Sequence, residues 1–117
     1  MYILESDLPE LQGTPKQIEW ASDLRRRTLT SSNTLIDETA SETIKSGCRK
    51  FIVYFISNAR NFDPDEIYEE VETTIAERKG ISEEDVGVED MNVEINKIAS
   101  DLILAKKSAQ WWIEKAR

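Results

Sequence analysis

The chain has no histidine and only one cysteine among its 117 residues, and these two shortages exclude several kinds of site. A zinc site of histidine and cysteine, a Ser–His–Asp triad and an iron–sulfur cluster all need residues that are missing here. An intramolecular disulfide is excluded too, because it needs two cysteines. No secretory signal is recognisable, so we expect a cytoplasmic protein in which Cys48 is reduced and half-buried on a helix.

Long apolar runs, glycine and proline are also scarce. The longest apolar stretch, Phe51–Ile56, has six residues and is too short to cross a bilayer, so we expect no membrane-spanning segment. Only four glycines and three prolines interrupt the chain, and there is no internal repeat or low-complexity linker. A chain of this length with 39% apolar residues is typical of one domain with a modest core. We therefore predict a single domain over residues 1–117.

Helical patterns occupy most of the chain. At Thr14–Gln17 a capping hydroxyl is followed by proline at the first helical position and glutamine at the third, which predicts a helix over 15–29 after an extended lead-in over 1–13. Thr30–Thr34 is typical of a polar turn. A second helix is predicted over 33–46, where Gly47 can break it. The run 50–57 is predicted to be helical, either separate or continuous with its predecessor, because no second strand is present to pair with it.

The second half repeats these signals. Asp63 precedes a proline and, three residues further on, an acid, which predicts a helix that ends at Lys79–Gly80. A short helical turn and loop are expected over 81–87, and a helix over 88–106. Ser108 either caps a last helix over 109–117 or continues the preceding helix into it. The sequence thus predicts an all-α fold, a small single-domain bundle of about five helices.

Charge is distributed unevenly along the chain. Residues 63–94 contain 13 acidic and two basic side chains, a net charge of −11, whereas the remainder contains 10 acidic and 13 basic side chains, a net charge of +3. Such a surface can imitate nucleic-acid phosphates and dock on a basic groove; the alternative is a solvated face that serves solubility alone. The candidate partner-binding residues are Glu66, Glu69, Glu70, Glu72, Glu83, Glu84, Asp85, Glu89 and Asp90.

Two smaller clusters are further candidates. Arg25, Arg26 and Arg27 end the first predicted helix, where they either contact a phosphate or carboxylate or complement the helix dipole. Trp111 and Trp112 point about 100° apart on a helix, so we expect one in the core against the first helix, near Trp20, and the other at the edge of the bundle. Trp111 is the candidate interface anchor.

No pattern for catalysis or for a cofactor stands out. The sequence contains no phosphate-binding glycine loop, nucleophile elbow or metal-ligand spacing, and carboxylates are too abundant for any one pair to be informative. We expect a protein that is not an enzyme, with no cofactor and no metal.

The two ends of the chain resemble a group of small proteins from phages and mobile elements. Leu8–Arg25 (LPELQGTPKQIEWASDLR) and Ser108–Ile113 (SAQWWI) fit its pattern L-P-x-L-x-G-S/T-x-K-Q-I-x-W-A, followed by a terminal A-x-W-W-I. The resemblance covers about 24 of 117 residues, and its motif looks structural, with Ile18, Trp20, Ala21 and Trp112 as core. Some members of the group lie among counter-defence genes, so the resemblance implies an anti-CRISPR or antirestriction role and assigns no functional residue.

These observations predict a non-enzymatic protein that inhibits a host defence nuclease, of the Cas9 kind, by placing an acidic surface in its basic nucleic-acid channel. Direct nucleic-acid binding is less favoured, because the global charge of −8 repels a polyanion. Two alternatives stay open. One is a phage nucleic-acid accessory protein that uses Arg25–Arg27, and the other is a homodimer or larger oligomer formed through the Trp111–Trp112 edge.

Overall fold

The computed structural model describes residues 1–116, which form five α-helices and two single 3-10 turns. The helices are α1 (Pro15–Thr34), α2 (Glu42–Arg60), α3 (Pro64–Lys79), α4 (Val88–Ala105) and α5 (Ala109–Ala116), and the turns span Glu5–Asp7 and Glu83–Asp85. No strand lies among residues 1–116, so the predicted all-α class with about five helices is confirmed. None of these helices is both long enough and apolar enough to cross a membrane.

The start of α1 is the predicted one, but its end is not. Thr14 and Gln17 form a reciprocal cap, in which the Thr14 hydroxyl accepts from the Gln17 amide at 3.2 Å. The prediction of a turn after Leu29 is wrong, because the helix continues to Thr34. Ser32 is buried, and its hydroxyl accepts a hydrogen bond from the side-chain amide of Asn96 on α4 at 3.0 Å. Polar residues that favour a turn locally are thus held in the helix by tertiary hydrogen bonds.

The second helix begins later than predicted and is longer. Ser41 caps α2, and the helix runs without a break through Gly47 to Arg60, so both the start at Asn33 and the break at Gly47 are wrong. Leu35, which lies inside the predicted helix 33–46, belongs instead to the connection between α1 and α2 and is 1% exposed. The predicted helical state of 50–57, continuous with the preceding helix, is confirmed.

The elements of the acidic half follow the prediction closely. Asp63 accepts a hydrogen bond from the Asp65 amide at 3.0 Å and caps α3. Gly80 ends the helix in the left-handed conformation, at φ 66°, which glycine adopts without steric cost. The expected short turn is present at Glu83–Asp85, and α4 ends one residue before the predicted position. α3 packs against α2 and α4 and is an outer helix of the bundle.

The lead-in is extended as predicted, apart from the first 3-10 turn, and it fastens α5 to α1. Gln12 donates from its backbone to Lys107 at 2.8 Å and accepts from the Ala109 amide at 2.9 Å. Gly13 has φ 155°, and a β-carbon there would lie 3.0 Å from the Ala109 β-carbon. The glycine thus permits close approach of α5, while the neighbouring Leu11 is buried in the core.

Candidate functional site

The acidic segment forms one surface whose central row lies on α3. The inner side of this helix carries Ile67, Val71 and Ile75, each 0% exposed. The outer side is exposed and carries four carboxylates at spacings of about one or two helical turns: Glu66, Glu69, Glu70 and Glu77. We refer to these four residues, together with Glu83, Glu84 and Asp85 of the second 3-10 turn, as the acidic face.

A hydrogen bond attaches the 3-10 turn to the helix. The Thr73 hydroxyl donates to the Glu83 carboxylate at 2.7 Å. The turn is itself capped by Ser82, whose hydroxyl accepts from the Glu84 amide at 3.4 Å. Two acidic stretches that are separate in sequence are thereby brought together on one side of the bundle.

Within residues 1–116, ion pairs engage only three of the 13 acidic side chains of segment 63–94. Arg60 pairs with Glu70 at 3.1 Å, and Lys79 pairs with Asp90 at 2.6 Å. Arg78 pairs with Glu94, which lies outside the acidic face. Within residues 1–116 the other candidate partner-binding residues make no ion pair: Glu66, Glu69, Glu72, Glu83, Glu84, Asp85 and Glu89. Because exposed pairs are weak, this surface stays strongly negative.

The structure does not bring all nine candidates into one surface. Glu72 is half-buried on α3, at the side of the outer row. Glu89 and Asp90 belong to the first turn of α4, where negative charge complements the positive end of the helix dipole. These three residues therefore lie beside the acidic face and not on it.

An open groove of about 450 Å³ runs beside the outer row of α3. Its lining includes Glu66, Glu69, Thr73 and the phenyl ring of Phe62, which is 46% exposed. Sequence reasoning missed Phe62, because a single aromatic residue between two helices gives no periodic signal. Among residues 1–116 no three histidine, cysteine, aspartate or glutamate side chains converge in a way that could hold a metal ion.

The three consecutive arginines have different surroundings. Arg25 is half-buried and donates to the Pro9 carbonyl at 2.6 Å, which ties the lead-in to α1. Burial lowers the pKa of the Arg25 guanidinium, while the nearby Glu5 carboxylate acts in the opposite direction. Arg26 pairs with Glu5 at 3.2 Å and with Asp23 at 3.1 Å. Arg27 is exposed and makes no ion pair within residues 1–116.

Trp112 is the tryptophan that occupies the core. It is 0% exposed, stacks on Phe55 with ring centroids 5.4 Å apart, and donates to the Lys106 carbonyl at 2.9 Å. Trp111 is half-buried, packs edge-on against Phe55 and lies under the Lys106 ammonium, so much of the predicted interface anchor is already covered. The expectation that Trp20 is core is wrong, since its side chain is 48% exposed.

Asp37, in the connection between α1 and α2, is a second group with a shifted pKa. Its carboxylate accepts from the Thr39 hydroxyl at 2.7 Å and from the Thr39 amide at 2.9 Å. These hydrogen bonds lower the pKa of Asp37, because they stabilise its charged form. The group is fully exposed and stands apart from the acidic face.

An exposed apolar face of α2 is the main feature that sequence reasoning missed. Ile44 and Phe51 are large apolar residues of α2, yet they are 57% and 40% exposed, and Tyr54 is 63% exposed. The sequence contains a signal for this face, because the three residues are spaced by seven and three positions, as in helices that pack against another helix. Periodicity alone, however, does not tell an inner face from an outer one.

Comparison with known proteins adds no assignment to this geometry. No family model matches the chain, and neither a curated protein nor a solved structure is significantly similar to it.

Proposed function

We propose that this chain is a non-enzymatic binding protein whose acidic face occupies a basic nucleic-acid channel of another protein and competes there with nucleic acid. The observation that carries the proposal is the density of charge on α3. The four acidic-face carboxylates of α3 lie between Glu66 and Glu77, a helical distance of about 16 Å at 1.5 Å per residue. That is roughly one charge per 4 to 5 Å, comparable with the spacing of about 3.4 Å per phosphate along one DNA strand.

The way in which the charges are held also supports the proposal. α3 is anchored by fully buried residues on its inner side, and the hydrogen bond from Thr73 to Glu83 keeps the 3-10 turn beside it. Because the helix backbone is already ordered, binding through these carboxylates loses little backbone conformational entropy. Their field also attracts a basic partner from a distance and raises the rate of association.

The partner class follows from this chemistry together with the resemblance of the two ends of the chain to mobile-element proteins. A host nuclease that acts on invading DNA holds nucleic acid in a positively charged channel, as guide-loaded nucleases of the Cas9 kind do. The nuclease is inhibited when the acidic face occupies this channel and thereby excludes nucleic acid from it. No catalytic step belongs to this function, which is why a chain without histidine can perform it.

The two alternative functions receive less support from the contacts. Arg25 and Arg26 are engaged within the chain, which leaves Arg27 alone of the three for a phosphate. Trp111 is already packed against Phe55, so it has less surface left to bury in a homodimer.

Two variants of equal charge test the proposal. The first replaces four unpaired carboxylates of the acidic face by their amides: Glu66, Glu69, Glu84 and Asp85. The second does the same to four exposed carboxylates outside it: Glu10, Glu19, Glu38 and Asp101. Both variants have a net charge of −4 instead of −8, so a difference between them reports position and not total charge.

The assay begins with capture of partners from a host lysate on immobilised wild-type protein. A labelled DNA duplex is then bound to the captured nuclease, and its displacement by each variant is followed by fluorescence anisotropy. We expect the acidic-face variant to displace DNA about tenfold less effectively and the matched variant to behave as wild type. Equal displacement by both variants, or no displacement by wild type, would show that the acidic face is not a competitor of nucleic acid.

A further inference from the structure

A second surface, on α2, has the form of a helix-binding seam. Ile44, Gly47, Phe51 and Tyr54 follow the alternating spacing of three and four residues that defines positions a and d of a heptad. Ile44, Phe51 and Tyr54 are 57%, 40% and 63% exposed, and the four positions extend over about 15 Å of helix. We refer to these four residues as the α2 stripe. Apolar side chains so placed on a well-packed helix are typical of an interaction surface.

The shape of the α2 stripe admits another helix at close range. A β-carbon added at Gly47 would meet nothing within 4 Å, so the helix surface is open there. Phe51 stands between two cavities, one of about 180 Å³ towards α5 and one of about 320 Å³ towards α1. Phe51 therefore forms a ridge, and the side chains of an approaching helix can pack into the cavities on its two sides.

The residues that border the α2 stripe carry positive charge, which favours a partner with negative charge. Arg26 and Arg27 line the cavity towards α1, Lys115 lines the cavity towards α5, and neither cavity contains a carboxylate among its lining residues. Lys50 adjoins Phe51 at a flanking heptad position and is exposed. Of these four cations only Arg26 makes an ion pair within residues 1–116.

We propose that the α2 stripe binds an amphipathic α-helix of a partner protein whose flanking positions carry acidic side chains. A second copy of this chain would set the same cations against each other across a two-fold axis, which opposes self-association. The proposal is independent of the proposed function, because it rests on α2 and on positive charge, whereas the acidic face lies on α3 and its adjoining turn.

The test uses a fluorescent peptide of a few heptads with leucine at a and d and glutamate at e and g, and a second peptide with lysine in place of glutamate. Repulsion between glutamates keeps the acidic peptide from pairing with itself. We expect the acidic peptide to bind the full chain, and the basic peptide to bind at least about tenfold more weakly, in fluorescence anisotropy. Equal binding of the two peptides, or no binding of either, overturns the proposal.

Two substitutions locate the binding. Gly47→Gln fills the open position with a better helix former, so we expect about tenfold weaker binding at an unchanged or higher melting temperature. Lys50→Glu is expected to weaken binding of the acidic peptide as well. Its matched control is Lys97→Glu, an equal change of charge at an exposed position of α4, which is expected to leave binding unchanged.

Other occupants would give different results. Binding of labelled oligothymidine that Gly47→Gln abolishes would show that the α2 stripe is a nucleic-acid site and would overturn the proposal. A concentration-dependent dimer in sedimentation velocity that the same substitution dissociates would overturn it in favour of self-association. The variant with four neutralised acidic-face residues is expected to bind the acidic peptide as well as wild type does, so failure of the proposed function can be told from failure of this one.

Discussion

Replacing Glu69 by glutamine removes one carboxylate from the middle of the acidic face and leaves the shape of the side chain almost unchanged. Glutamate and glutamine have similar helix propensities, and position 69 lies beyond the first turn of α3, where the dipole acts most strongly. The effect on the free energy of unfolding therefore reports the repulsion that Glu69 experiences from its neighbours.

The helix geometry gives the magnitude. Glu69 has four neighbours on the helix surface, at positions i±3 and i±4. Three of them are acidic, namely Asp65, Glu66 and Glu72, and the fourth is the uncharged Thr73. A like-charged pair at this spacing destabilises a helix by about 0.2–0.5 kcal/mol. Three pairs amount to roughly 0.6–1.5 kcal/mol at low ionic strength, so we expect Glu69→Gln to stabilise the protein by that amount.

Urea unfolding followed by tryptophan fluorescence measures this difference. It is recorded at salt concentrations of about 0.01 M and about 1 M, where the screening length falls from about 30 Å to about 3 Å. We expect Glu69→Gln to stabilise the protein at the low salt concentration and to lose most of this effect at the high one. Glu19→Gln is the matched control, because Glu19 on α1 has Lys16 and Asp23 at these spacings and their effects nearly cancel.

If Glu69→Gln leaves the free energy of unfolding unchanged at low salt, or if its gain equals that of Glu19→Gln, the carboxylates of the acidic face do not repel each other measurably. The proposed charge density would then be neutralised in solution, and competition with nucleic acid would lose its physical basis.

Three further predictions concern the core, the lead-in and a titrating group. Trp112→Ala is expected to lower the free energy of unfolding by about 3–5 kcal/mol in urea, because it empties a fully buried site. Asn33→Ala is expected to cost roughly 2–3 kcal/mol and to speed amide exchange at Ile3, whose backbone it bonds at 2.8 and 3.1 Å. Thr39→Val is expected to raise the pKa of Asp37 towards its ordinary value in an NMR titration, since one of two donors is lost.

The sign of the last effect follows from linkage. The pKa of Asp37 is lowered in the folded state, so its contribution to stability is present above the ordinary pKa of an aspartate and is lost as the pH falls through the lowered value. With valine at position 39 the pKa of folded Asp37 lies closer to its ordinary value, so this contribution is smaller and its loss is complete at a higher pH. An unchanged titration of Asp37 would mean that the Thr39 hydroxyl does not hold the carboxylate in solution.

The candidate site was predictable in composition and only partly in arrangement. The concentration of acids over residues 63–94 is visible without a structure, and so is the exposure of every third or fourth residue on an amphipathic helix. The attachment of the turn through Thr73 and Glu83 is not visible, because these residues are ten positions apart and either could bond elsewhere. The α2 stripe was hidden for a related reason, since apolar spacing predicts burial unless the neighbouring elements leave a face open.

Local patterns in the sequence are enough to predict the helical class, the starts of α1 and α3 and the partition of charge, because caps and charge counts depend on the identity of the residues and on neighbours within one turn. Three features cannot be predicted in this way: where α1 ends, which of the tryptophans is core and which apolar face of α2 stays open. These features depend on contacts between residues far apart in the chain, such as Asn33 with Ile3 and Trp112 with Phe55, and a local preference for a turn or a buried face yields when such contacts oppose it.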